Sequence, residues 1–193
     1  MIAHIQGKLV EKSPTEVIID CNGVGYSINI SLYSFGALPN TDFIKLYTHL
    51  LIKEDGHTLY GFVTKTEKEI FKLLISVSGI GANTARTMLS SLEPGQIVKA
   101  IASGDAGTIQ AIKGIGAKTA QRAILDLKDK VLKLYDLEEV SSSVSNTNKD
   151  EALSALEVLG FVRKTSEKVV DKIIASMPDA SVETIIKQAL KNL

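Results

Sequence analysis

The first third of the chain carries a period-two pattern. Apolar and polar positions alternate in Ile28-Asn29-Ile30-Ser31-Leu32 and in Ile44-Lys45-Leu46-Tyr47, the spacing that puts every second side chain on one face of a strand. Five strands are predicted, over 2–10, 17–21, 25–31, 43–52 and 58–63, each rich in Ile, Val, Leu or Tyr. Turn residues separate them at Ser13-Pro14-Thr15, Asn22-Gly23-Val24-Gly25 and Leu38-Pro39-Asn40. From Lys65 the period lengthens, and Ile70, Leu73, Leu74 and Val77 fall on one helical face. Pro94 starts a helix running to Ala102 that Gly104 ends, Asp105 caps a short helix through Ile112, and Ala120, Ile124, Leu127, Val131 and Leu134 form the stripe of a last helix. Residues 136–149 lose all periodicity and become acidic, then Ser/Asn-rich, which reads as a flexible linker. Three further helices are predicted at about 150–159, 163–176 and 181–192, with Gly160 ending the first and Ser181 capping the last.

These elements divide the chain into a strand-rich domain over 1–63, a helical domain over 64–135, the linker, and a small helical module over 150–193. Five short strands suit a closed or partly closed barrel such as an OB-fold. The module is small enough that Leu156, Leu159, Phe161 and Leu190 form either its core or a partner-binding face.

A repeat inside the helical domain carries the candidate chemistry. Gly79-Ile80-Gly81-Ala82-Asn83-Thr84-Ala85 and Gly114-Ile115-Gly116-Ala117-Lys118-Thr119-Ala120 differ only at Asn83 against Lys118. Each follows an apolar stretch and precedes a helix, so each reads as a helix, a tight hairpin and a second helix. The start of the second helix offers unpaired amide N–H groups and the positive end of the helix dipole, a combination suited to a phosphate. Plain turns between packed helices are the structural alternative. An ATPase phosphate loop is excluded, because its two glycine positions relative to Lys118-Thr119 hold Ile112 and Ala117.

Composition sharpens this picture. The 193 residues are 45% hydrophobic, carry no net charge and include one cysteine, Cys21, expected to be a buried thiol. No apolar run reaches membrane-span length, and the N-terminus lacks the pattern of a signal peptide, so a cytoplasmic protein is expected. Charge is uneven: residues 76–135 hold eight Lys/Arg against four acids, whereas residues 1–62 hold four bases against six acids. The basic part is the repeat region, where Arg122 stands four residues beyond Lys118 and can follow the same phosphate path. In the last predicted hairpin Glu54 and Asp55 stand at an Asp-Gly turn, either as solvated turn residues or as carboxylates that repel DNA strands. His57 beside them is a turn histidine with no further metal ligand in view.

Taken together, Gly23-Val24-Gly25-Tyr26, Glu54-Asp55 with Leu59-Tyr60-Gly61-Phe62, both Gly-Ile-Gly hairpins, Lys128-Asp129, Leu159-Gly160-Phe161 and Pro178-Asp179-Ala180-Ser181 resemble, in order and spacing, the RuvA family of bacterial Holliday-junction-recognition proteins. The resemblance runs end to end. It implies a multidomain α+β fold: an N-terminal five-stranded OB-like β-barrel, a central tandem helix-hairpin-helix domain and a C-terminal three-helix, UBA-like bundle. It also implies a non-catalytic, cofactor-free and metal-free homotetramer, one or two per junction, acting in recombination and DNA repair. Gly79, Gly81, Asn83, Thr84, Gly114, Gly116, Lys118, Thr119 and Arg122 would contact backbone phosphates, and Glu54 and Asp55 would be acidic pins at the crossover. Leu156, Leu159, Phe161 and Leu190 would meet the RuvB motor ATPase, and the RuvC resolvase would join the complex. Asn83 and Ala117 depart from the family pattern, where lysine is usual. The competing class is a helix-hairpin-helix junction nuclease or glycosylase, for which Asp126 and Asp129 are the nearest acids; a plain scaffold is a second alternative.

Overall fold

A computed structural model describes residues 2–54, 56–142, 148–177 and 180–193. Asp55 of the acidic turn and Pro178-Asp179 of the C-terminal cap motif lie outside the described residues, as does the side chain of Leu134. The chain divides into two compact units, Met1–Leu134 and Tyr135–Leu193.

In the first unit, β1 (His4–Lys12), β2 (Glu16–Cys21), β3 (Val24–Ile30), β4 (Phe43–Lys53) and β5 (Gly56–Phe62) close into a barrel in the order β1-β2-β3-β5-β4. All neighbours are antiparallel except β3 and β5, which pair in parallel at Asn29↔Tyr60 and Ile30↔Gly61. The barrel is filled by the inward set of the alternating pattern: Ile5, Val17, Ile19, Ile28, Ile30, Ile44 and Leu46. Gly61 leaves no room for more, since a Cβ there would stand 2.5 Å from Ile28 Cγ2 and 3.0 Å from Leu46 Cδ1. Cys21 is half-buried rather than buried, its Sγ–H donating to the Gln6 carbonyl at 3.3 Å.

Alternation misleads at one point, because it continues through Ser31-Leu32 although the strand ends at Ile30. Ser31 instead caps a six-residue helix, α1 (Leu32–Ala37), its side chain accepting from the Ser34 N–H at 3.0 Å.

The helical part follows as α2 (Lys65–Ile75), α3 (Ala82–Ser91), α4 (Pro94–Ser103), α5 (Ala106–Gln110) and α6 (Ala117–Ser142). Thr64 caps α2, Gly104 ends α4 in the left-handed region at φ 77°, and Asp105 caps α5. The buried side of α6 is Ala120, Ala123, Leu127 and Val131, with Ile124 at its edge. That helix continues to Ser142, past Tyr135 and into the stretch read from the sequence as a linker.

Barrel and helices share one apolar core, in which Tyr60 and Phe62 of β5 join residues from α2 to α6. Phe71, on α2, is the hub. Its ring lies 5.0 Å from those of Tyr60 and Phe62 and 5.7 Å from that of His49. A carboxylate is buried in the same seam: Glu67 accepts hydrogen bonds from the Ser31 hydroxyl and from the Ser34 hydroxyl at 2.5 Å. Burial pushes its pKa up, against the lowering effect of those bonds. Loss of solvent lowers the His49 pKa, with Lys68 and Lys72 adding to it.

The second unit contains α7 (Asn148–Val158), α8 (Arg163–Ser176) and α9 (Val182–Ala189) around Ala152, Leu153, Leu156, Val170, Ile173, Ile185 and Ala189. Lys149 ties α7 to α8 through Asp171 at 2.6 Å and Glu167 at 3.5 Å. Gly160 turns the chain between α7 and α8 at φ 94°, and Ser181 caps α9.

Candidate nucleic-acid interface

The two Gly-Ile-Gly segments fold alike, with the same backbone hydrogen bonds in each. In the first, Val77 N–H donates to Leu74 O, Ile80 N–H to Val77 O and Ala85 N–H to Gly81 O, at 3.1, 3.0 and 2.9 Å. In the second, Ile112 donates to Ile109, Ile115 to Ile112 and Ala120 to Gly116, at 3.3, 3.1 and 2.9 Å. The central isoleucines, Ile80 and Ile115, are buried and anchor each turn in the shared core. The turns thus hold their shape through one apolar side chain each, leaving the flanking glycines exposed.

The glycines of each pair have different reasons to be there. Gly79 and Gly114 sit at φ 98° and 94°, where a Cβ is strained. Gly81 has φ −83° and Gly116 is not among the positive-φ residues, and a Cβ on either would meet nothing within 4 Å. Nothing in the fold itself demands glycine at these two positions. Each immediately precedes a helix, α3 or α6, and at α3 no side chain caps the end. The amides of the first helical turn therefore face outward unpaired, as helix geometry requires.

The two turns are neighbours. A Cβ on Gly79 would lie 3.5 Å from both Cγ2 and Oγ1 of Thr119, so the first turn abuts the start of the second turn's helix. Thr84 and Thr119 are half-buried at matching places; Asn83, Lys118 and Arg122 are exposed. The sequence-predicted residues of this group are brought together in one unit.

The other predicted residues are separate from this group. Glu54 stands exposed at the turn between β4 and β5. In the second unit, Leu156 is fully buried in the bundle core, so it belongs to packing and not to a docking face. Phe161 is half-buried against the same core, while Leu159 and Leu190 are 57% and 44% exposed. The exposed apolar surface also includes Val158 and Val162, at 87% and 68%, which the sequence pattern did not single out.

Arg86, counted above among the bases of the repeat region, is bound elsewhere. Its Nη1 donates to Asn29 Oδ1 at 2.7 Å and to the Thr15 carbonyl at 3.3 Å, tying α3 to the barrel. Leu32 N–H donates to Ser90 Oγ at 3.0 Å beside it. Tyr60 on β5 reaches the first hairpin directly, its hydroxyl donating to Asn83 Oδ1 at 3.4 Å. Burial raises the Tyr60 pKa, so the phenol keeps the proton this bond uses.

Comparison with known proteins accounts for the whole chain. Residues 1–61 match the RuvA N terminal domain, residues 71–129 the SAM-like helix-hairpin-helix tandem, and residues 147–193 the RuvA C-terminal domain. A Holliday junction branch migration complex subunit RuvA from Flavobacterium psychrophilum is 80% identical over the full length of both chains. Proteins of the same name from Christiangramia forsetii and Bacteroides thetaiotaomicron are 62% and 48% identical, again across 100% of each chain. With the barrel, the duplicated hairpins and the three-helix module each in their matching place, the chain belongs to the RuvA family.

Proposed function

We propose that the protein binds four-way DNA junctions by their sugar-phosphate backbone and serves as the DNA-recognition subunit of a branch migration complex. One observation carries the reading: two adjoining hairpins with the same hydrogen-bond pattern, each placing a helix start directly behind an exposed glycine that the fold does not need. A phosphate approaching Gly81 or Gly116 meets peptide N–H donors and no side chain. Contacts of this kind carry no base information, so selection falls on the geometry of the branch. Thr84, Lys118, Thr119 and Arg122 add side-chain contacts around the same points, and Asn83 adds an amide.

Glu54 and Asp55 act as the acidic pins, turning phosphates away from the place where strands separate. Four copies surround one junction, alone or facing a second set of four. The subunit is non-catalytic and works in the cytoplasm. The motor is RuvB, which docks on the exposed apolar surface of the C-terminal module around Leu159, Val162 and Leu190, and the RuvC resolvase joins the same complex. No observation favours the nuclease or glycosylase reading; the names of the full-length relatives describe a branch migration subunit.

The test is a gel shift with a four-way junction and a linear duplex built from the same arm sequences, repeated with scrambled arms and with magnesium present. The expected outcome is tighter binding to the junction, indifference to sequence and no cleavage. Equal affinity for duplex and junction, or magnesium-dependent strand scission, would overturn the reading.

A further inference from the structure

The hairpins share a backbone but not a charge pattern. The repeat offset aligns Ser78 with Lys113, Asn83 with Lys118, Arg86 with Gln121 and Thr87 with Arg122. The second hairpin therefore carries three cations, Lys113, Lys118 and Arg122, all exposed and without an acidic partner among the described residues. The first carries one, Arg86, and that guanidinium is half-buried on Asn29 and Thr15 of the barrel. In place of the second hairpin's lysine stands Asn83, whose oxygen is taken by the Tyr60 hydroxyl, leaving its amide N–H groups as the free donors.

We infer that the two hairpins divide backbone recognition between them. The second supplies the ionic, counterion-releasing contacts through Lys113, Lys118 and Arg122. The first grips by neutral donors alone, its peptide N–H groups and the Asn83 amide, with Tyr60 as a positioning residue and Arg86 as a clamp to the barrel rather than a phosphate ligand. The inference rests on the proposed junction binding and specifies which atoms supply which kind of contact. It follows from the difference between a charged and a neutral donor: only a cation that neutralises a phosphate releases a condensed counterion, so only it steepens the dependence of affinity on salt. A neutral donor to the same phosphate adds affinity that salt leaves nearly untouched.

Salt titration of junction binding by the full chain separates the two kinds. Lys118→Gln and Arg122→Gln are each expected to flatten the log-log slope by about 0.9 for every phosphate contact removed, counted over all copies on the junction. Arg86→Gln is expected to leave the slope unchanged while lowering the melting temperature. Tyr60→Phe is expected to weaken binding several-fold at every salt concentration without altering the slope, and to have no effect in an Asn83→Ala background. Asn83→Lys should steepen the slope, and Asn83→Lys combined with Lys118→Asn should restore that of the parent. Two of these variants leave the barrel seam untouched, so the test survives a poorly folding Arg86→Gln.

Three results would overturn the division of labour: Arg86→Gln flattening the slope as much as Lys118→Gln, Asn83→Lys leaving it unchanged, or Tyr60→Phe costing the same with and without Asn83. A parent protein with a flat salt response and no preference for junctions would instead sink the junction-binding reading itself.

Discussion

Single residues in the two turns separate folding from binding. Gly79→Ala or Gly114→Ala forces a Cβ into the left-handed region and is expected to cost about 1–2 kcal/mol of stability, read by urea unfolding. Gly81→Ala and Gly116→Ala are expected to change stability by no more than about 0.5 kcal/mol, a poorer helix cap being offset by a less flexible unfolded chain. The same two substitutions together should weaken junction binding at least tenfold, a loss of about 1.4 kcal/mol. Unchanged binding in the gel shift would show that no backbone approaches these positions. Glu67 permits a prediction about pH. Its folded pKa is raised by burial, so its contribution is fully present below the unfolded value of 4.5 and is lost as pH rises through the folded one. Glu67→Gln should therefore flatten the fall of stability as pH rises above 4.5, read by urea unfolding across that range. The turns were legible in the sequence because their signal is local and repeated. Glu67 and Arg86 were not, since Ser31 lies 36 residues from the first and Asn29 lies 57 from the second.

At the scale of elements, periodicity located all five strands and most helices, and it failed where two patterns overlap. Leu32–Ala37 was missed because alternation runs on across Ser31, and six residues are too few to establish a helical period. Phe71 was left out of the predicted face of α2 because that helix packs against helices and barrel alike: Ile70 and Leu74 are buried in the shared core, and the Phe71 ring lies against Tyr60 and Phe62 of β5. For Leu156 the pattern marked an apolar stripe without saying which part of it faces inward. The seam around α2 is the element on which both halves of the first unit depend. Thr64→Ala, which removes the side chain accepting from Glu67 N–H at 3.1 Å, is expected to cost about 1 kcal/mol. Gly61→Ala, driving a methyl group into Ile28 and Leu46, should cost about 1–3 kcal/mol. Both are measurable as shifts in the urea midpoint, and a neutral result for Gly61→Ala would mean that the barrel interior yields more easily than its contacts indicate.

For the whole molecule, two compact units with separate cores predict two separable activities. Leu159→Asp with Val162→Asp, both at exposed positions, should leave stability and junction binding unchanged while abolishing co-sedimentation with RuvB. Loss of junction binding in that variant would contradict the assignment of the two tasks to different units. The zero net charge conceals an uneven distribution, since residues 76–135 carry eight Lys/Arg against four acids while residues 1–62 carry four against six. The barrel's closure constrains how copies can assemble. With β1 paired to both β2 and β4, and β3 to β5, its ladder is a ring, closed between β3 and β5 by only two residue pairs, so the backbone left without a ladder partner at that seam is confined to short runs, 24–28 of β3 and 56–59 of β5. Copies that met through this domain would do so chiefly by side chains, a kind of joint that can form and part again without unzipping any sheet.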